Sequence, residues 1–125
     1  MFYEDALRAA RRVVEVLDAE ALPWVTERGL QDLAGDRLEM AGFEVDHEVQ
    51  IPGGRIDLLV KVDGARVGVE VKTAGTLGDL VSQLHRYAQS GKVDAVVALV
   101  GKSRLAVDAH KIGTVPLMTC IGRGF

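Results

Sequence analysis

The stretch Arg55-Ile56-Asp57-Leu58-Leu59-Val60-Lys61-Val62-Asp63-Gly64-Ala65-Arg66-Val67-Gly68-Val69-Glu70-Val71-Lys72 reads as two β-strands around one tight turn. Asp63-Gly64 is a strong hairpin signal, because a turn of this hand needs positive φ at its central residues. Side chains alternate along a strand. Ile56, Leu58, Val60 and Val62 are therefore expected on one face, with Val67, Val69 and Val71 on the same face of the second strand. Arg55, Asp57, Leu59 and Lys61 fall on the other, with Arg66, Gly68, Glu70 and Lys72. A two-residue loop pairs Val62 with Ala65, and counting back sets Asp57 opposite Glu70 and Arg55 opposite Lys72.

Working outward, Tyr3–Glu20 has apolar residues at helical spacing (Leu7, Ala10, Val14, Leu17), and Pro23 separates it from a second helix over Thr26–Ala41. Glu44–Ile51 reads as a strand and Pro52-Gly53-Gly54 as a turn. Leu77–Ser90 is a third helix capped by Thr76, and Asp94–Val100 is an apolar run suited to a strand buried on both faces. A short helix is expected over Val107–Lys111 and a last strand over Val115–Ile121. The order predicts an α/β fold with a mixed central sheet flanked by helices.

The 125 residues suit a single domain, 1–125, with residues 1–22 as an accessory N-terminal helix and 26–121 as the core. With 48% hydrophobic and 26% charged residues the chain is not disordered. One cysteine, Cys120, allows no internal disulfide, and His47, His85 and His110 lack zinc-ligand spacing. With no apolar run long enough for a membrane span and an acidic N-terminus, a cytoplasmic, reducing location is expected. The net charge of -3 argues against a uniformly basic nucleic-acid coat.

Opposed Cβ atoms on paired strands lie about 4.5–5.5 Å apart, and like charges there are destabilising. A hard divalent cation between Asp57 and Glu70 would turn that repulsion into a binding site. The alternative is a solvated polar face. Lys72, on the same face as Glu70, favours chemistry, because two acids and a lysine are what metal-assisted phosphodiester hydrolysis needs.

Ile56-Asp57, then twelve residues, then Glu70-Val71-Lys72 resembles the motif of the PD-(D/E)XK nuclease superfamily, with Ile56 in place of the proline. The resemblance covers residues 26–121 and implies a restriction-endonuclease-like αβββαβ core with Mg²⁺ or Mn²⁺ as cofactor. It implies Asp57, Glu70 and the Val71 carbonyl as metal ligands, with Lys72 serving the attacking water. The family often adds a glutamate from the preceding helix, which implies Glu27 as a further metal ligand of the catalytic site. Among that helix's acids only Glu27 flanks the apolar face of Leu30, Leu33, Ala34, Leu38 and Ala41, with Gln31 as its neighbour. A first-turn glutamate is also favoured by the helix dipole alone. Gln83-Leu84-His85-Arg86-Tyr87 resembles the family's Gln-x-x-x-Tyr segment, which implies Gln83 supporting the site or the substrate backbone and Tyr87 beside nucleic acid; the alternative is a boundary glutamine with a core tyrosine. Arg55 is expected at a phosphate or against the carboxylates.

Lys102, Arg104, Lys111 and Arg123 against Asp108 make the tail basic, which offers Lys102, Arg104 and Lys111 as phosphate contacts or as ordinary solvated cations. Gly101-Lys102-Ser103 is not a P-loop, since Val96 stands where glycine is required. No nucleophile elbow supports a serine hydrolase. The leading expectation is a nuclease acting on branched or duplex DNA as a homodimer resembling Holliday-junction resolvases, with the first helix and last strand free for dimerisation. RNA as substrate, an inactive nucleic-acid- or protein-binding module on the same fold, and a subunit of a larger repair or restriction assembly stay open.

Overall fold

The structure, a computed structural model, describes residues 1–123. Its elements are helix α1 (Tyr3–Asp18), helix α2 (Glu27–Met40), strands β1 (Glu44–Ile51), β2 (Gly54–Val62) and β3 (Ala65–Lys72), helix α3 (Leu77–Gln89), strand β4 (Ala95–Val100), a 3₁₀ turn (Ser103–Leu105), and strands β5 (Lys111–Ile112) and β6 (Val115–Ile121). They form an α/β structure on one mixed six-stranded sheet of order β1-β2-β3-β4-β6-β5. β1, β2 and β3 are antiparallel neighbours, while β4 runs parallel to β3 and to β6. Among these residues no helix is long and apolar enough to cross a membrane.

Two hydrophobic layers sandwich the sheet. On one face α1 and α2 cover Leu58, Val60, Val67, Val69, Val71, Val97 and Leu99. On the other, Leu80, Leu84 and Tyr87 of α3 cover Ile56, Leu59, Val96, Ala98 and Val100. β4 is therefore buried along its whole length, as its unbroken apolar run requires. The Asp63-Gly64 turn has the expected positive φ at both residues (51° and 82°), and Val62 pairs with Ala65.

Three expectations are corrected. The segment Val107–Lys111 is not a helix. Lys111–Ile112 instead form β5, which pairs antiparallel with Val115 and Pro116 across a turn at Gly113 (φ 60°). α1 and β6 are not spare elements: Ala6, Ala9, Ala10, Val13 and Leu17 are buried in the core, and β6 lies between β4 and β5.

The third correction concerns the faces of β2. Ile56 does not share a face with Leu58 and Val60; it lies on the α3 side. β1 switches in the same place, since Val45 packs toward α1 and α2 but Val49 toward α3. The cause is local. The β1–β2 and β2–β3 loops each have two residues, with Ile51 paired to Gly54 and Val62 to Ala65. Residues flanking such a loop exchange backbone hydrogen bonds. Gly54 and Val62 are both even-numbered, so an unbroken strand would aim both at one neighbour, yet they serve β1 and β3. β2 must break its alternation once. It does so at Asp57, which, like Glu48 across from it, drops out of the β1–β2 ladder, and Glu48 takes a left-handed φ of 55°.

Candidate active site

The break at Asp57 builds the site. The β2–β3 ladder ends at Leu58–Val69, and beyond it the strands part. The next free amide of β3, Val71 N–H, donates to Asp57 Oδ2 at 2.9 Å. The Asp57 N–H donates 2.9 Å to the Tyr87 hydroxyl of α3. That hydroxyl lies 3.3 Å from Glu70 Oε1 and 3.4 Å from the Val69 carbonyl, so it can donate to either. Gln31 of α2 donates from Nε2 to the Asp57 carbonyl at 3.4 Å. Side-chain groups thus replace the missing ladder around Asp57.

Asp57 and Glu70 are buried, at 8% and 7% exposure, not part of a solvated face. Burial, a hydrogen bond with Asp57 and the Asp57 charge push the Glu70 carboxyl up to about 10, against the smaller pull of the Tyr87 hydroxyl and the Lys72 charge. Burial and the two neighbouring carboxylates also drive the Tyr87 hydroxyl well above its ordinary value. Two adjacent acids in this setting ionise together only when positive charge is supplied.

The pair opens into a pocket of about 320 Å³, which Val71 and Lys72 also line. Arg55, with Nε 3.9 Å from Asp57 Oδ1 and a second contact of 3.8 Å to Glu48, closes one side. Gln83 lines the α3 side and ties it to β2, donating from Nε2 to the Arg55 carbonyl at 3.1 Å. Glu27 stands at the α2 side, where its Oε1 accepts from the Thr73 N–H at 2.7 Å and from the Thr73 hydroxyl at 3.2 Å. It thereby holds the residue after Lys72. Thr26, as N-cap, accepts from Gly29 N and starts α2 at that point.

The pocket therefore gathers Glu27, Arg55, Asp57, Glu70, Val71, Lys72 and Gln83. It does not gather four residues expected at nucleic acid. Tyr87 is fully buried and works inside the protein rather than on a ligand. Lys111 is on β5, at the opposite sheet edge from β1 and β2. Lys102 and Arg104 lie outside the lining, although Arg104 donates to the Gly75 carbonyl at 2.9 Å, and the Lys72 ammonium comes within 3.2 Å of where a Cβ on that glycine would sit. Sequence reasoning missed Asp79 and Arg86, which line the pocket from α3, with Arg86 donating to Gln83 Oε1 at 2.8 Å. It also missed Thr73 as the partner of Glu27. No signal marked Asp79 or Arg86, because the polar face of a helix carries such residues by default.

Among the described residues no three His, Cys, Asp or Glu side chains come together as a metal-binding group. Two buried carboxylates, Asp57 and Glu70, remain as donors that could hold a cation. That set suits Mg²⁺ or Mn²⁺, since Mg²⁺ is commonly held by one or two carboxylates and otherwise by water and phosphate oxygens. No protein-family model matches the chain, and no curated protein matches it significantly.

Proposed function

We propose that this chain is a Mg²⁺- or Mn²⁺-dependent nuclease that hydrolyses DNA phosphodiester bonds, a member of the PD-(D/E)XK superfamily with its restriction-endonuclease-like core. One observation carries the reading: the buried Asp57–Glu70 pair opens, together with Lys72, into a polar pocket at the point where β2 and β3 part. The element order α2-β1-β2-β3-α3-β4 supports the fold assignment.

Asp57, Glu70 and the Val71 carbonyl would hold the cation, which supplies charge neutralisation at the phosphate and lowers the pKa of water. Lys72 offers an ammonium that can hold a water by hydrogen bonding and stabilise negative charge developing on the phosphate. Arg55 and Arg86 give guanidinium donors for the flanking phosphate oxygens. Gln83 keeps Arg55 and α3 in register through the Arg55 carbonyl. Glu27 fixes Thr73 and so the end of β3 that carries Lys72. Branched or duplex DNA, cut by a homodimer, is the substrate that the sequence resemblance favours.

A second reading has its own observation. The Glu27 carboxylate is engaged by Thr73, and no three-acid cluster forms among the described residues. A module that binds nucleic acid or protein without cutting fits that. The two readings part on one experiment: cleavage of branched, single-stranded and duplex DNA with Mn²⁺ or Mg²⁺. The nuclease reading expects cutting by the wild type and a loss of about 100-fold or more in Lys72→Ala and Glu70→Ala. Full activity in either variant refutes the catalytic assignment, and no cutting of any substrate favours the binding module.

A further inference from the structure

Tyr87 has no exposed surface, yet its hydroxyl lies where β2 and β3 stop pairing. The ring reaches that place because β3 carries a glycine beneath it. A Cβ at Gly68 would lie 3.0 Å from Tyr87 Cδ2 and 2.9 Å from Val93 Cγ1. Glycine inside a strand weakens it and marks close approach by another group. The hydroxyl accepts from Asp57 N–H and has Glu70 Oε1 at 3.3 Å as an acceptor for its single proton. Once a bound cation ionises Glu70, its carboxylate is a stronger acceptor than the competing Val69 carbonyl. One oxygen of each acid is then held by the protein: Asp57 Oδ2 by Val71 N–H and Glu70 Oε1 by Tyr87.

We propose that Tyr87 is a positioning residue for the carboxylate pair: wedged between the parted strands, its hydroxyl anchors the Asp57 backbone and orients Glu70, so that the remaining oxygen of each acid faces the cation. The inference rests on the metal-dependent reading of the site. Groups that orient metal ligands typically change affinity about 10–100-fold when removed.

The test uses the full chain and two variants. Tyr87→Phe keeps the ring and removes the hydroxyl. Gly68→Ala keeps the hydroxyl and pushes the ring. Mn²⁺ alone is titrated calorimetrically, and exchange of the Asp57 amide is followed by NMR without metal. Both variants are expected to bind Mn²⁺ about tenfold or more weakly. In Tyr87→Phe the Asp57 amide, stripped of its acceptor, should exchange about tenfold or more faster, with the Val97 amide of β4 unchanged. Packing alone would not move the Asp57 amide selectively. Wild-type Mn²⁺ affinity, or unchanged Asp57 exchange, in Tyr87→Phe overturns the inference and leaves the metal-dependent reading standing. If Tyr87→Phe does not fold, wild-type Mn²⁺ affinity in Gly68→Ala overturns it instead. A wild-type chain that binds no Mn²⁺ overturns the metal-dependent reading, and this inference with it.

Discussion

Replacing Glu70 by glutamine in the cation-free protein should flatten the dependence of stability on pH. Glu70 is 7% exposed, and burial, then the hydrogen bond and charge of Asp57, push its carboxyl from 4.5 up to about 10. The unfolded chain releases this proton near the ordinary carboxylate value, whereas the folded chain keeps it. Where the native state binds the extra proton, stability falls as pH rises. The contribution is therefore complete below the unfolded value and is lost progressively toward the folded one. The slope from one such group is about 1.4 kcal/mol per pH unit, so about 3 kcal/mol disappears between about pH 5.5 and 7.5. That is a large share of a typical stability of about 5–15 kcal/mol. Glutamine fills the same space and has no proton to lose. Urea unfolding with a chelator present, repeated across this range, measures the slopes directly. Wild type should lose about 3 kcal/mol more than Glu70→Gln. Parallel slopes would show that Glu70 ionises normally in the folded chain and would sink the argument.

Binding of Mn²⁺ near neutral pH should release about one proton from the pair, because ligands bind metal deprotonated; calorimetry in two buffers of different ionisation enthalpy reads that number. Glu27→Gln keeps an oxygen for Thr73, so its Mn²⁺ affinity should stay within about threefold of wild type, while Asp57→Asn should lose about tenfold or more. Gly101→Ala should destabilise by about 1–3 kcal/mol and shift the fluorescence of Trp24, since the added Cβ would lie 2.6 Å from its ring and 2.9 Å from Thr73 Cγ2. Asp94 is partly buried, which alone would raise its carboxyl, but Arg66, bonding through its guanidinium and its backbone N–H, holds the value below the usual range. Asp94→Asn should cost about 1–2 kcal/mol at neutral pH. That cost should shrink as pH falls through the depressed native value, where wild type also loses the contribution.

Much of this architecture is legible in the sequence because turns and alternation are local. Glu44–Ile51, Ala65–Lys72 and Val115–Ile121 are strands with the expected ends, and the Asp63-Gly64 turn fixes the register of β2 on β3. Val107–Lys111 is no helix because so short a stretch cannot nucleate one by itself, and the turn at Gly113 folds Lys111–Ile112 back onto β6 as β5 instead. The expected ladder pairing of Asp57 with Glu70 does not form, since the ladder ends at Leu58–Val69. Asp57 and Glu70 meet where the ladder has ended and not within it. The signal for that break was present, two two-residue loops at even spacing, but it emerges only when the turn after Ile51 is read as Pro52-Gly53 without Gly54. The places of Asp79 and Arg86 in the pocket lining have no local signature. They follow from how α3 docks over the opening between β2 and β3, which is a tertiary fact.

The central claim is that Asp57 and Glu70 together hold a divalent cation. Anomalous diffraction from crystals soaked in Mn²⁺ tests it most directly. One dominant peak is expected between the two carboxylates and within ligand distance of the Val71 carbonyl. Crystals that show no peak there at saturating Mn²⁺, with the two acids still hydrogen-bonded to each other, would contradict it.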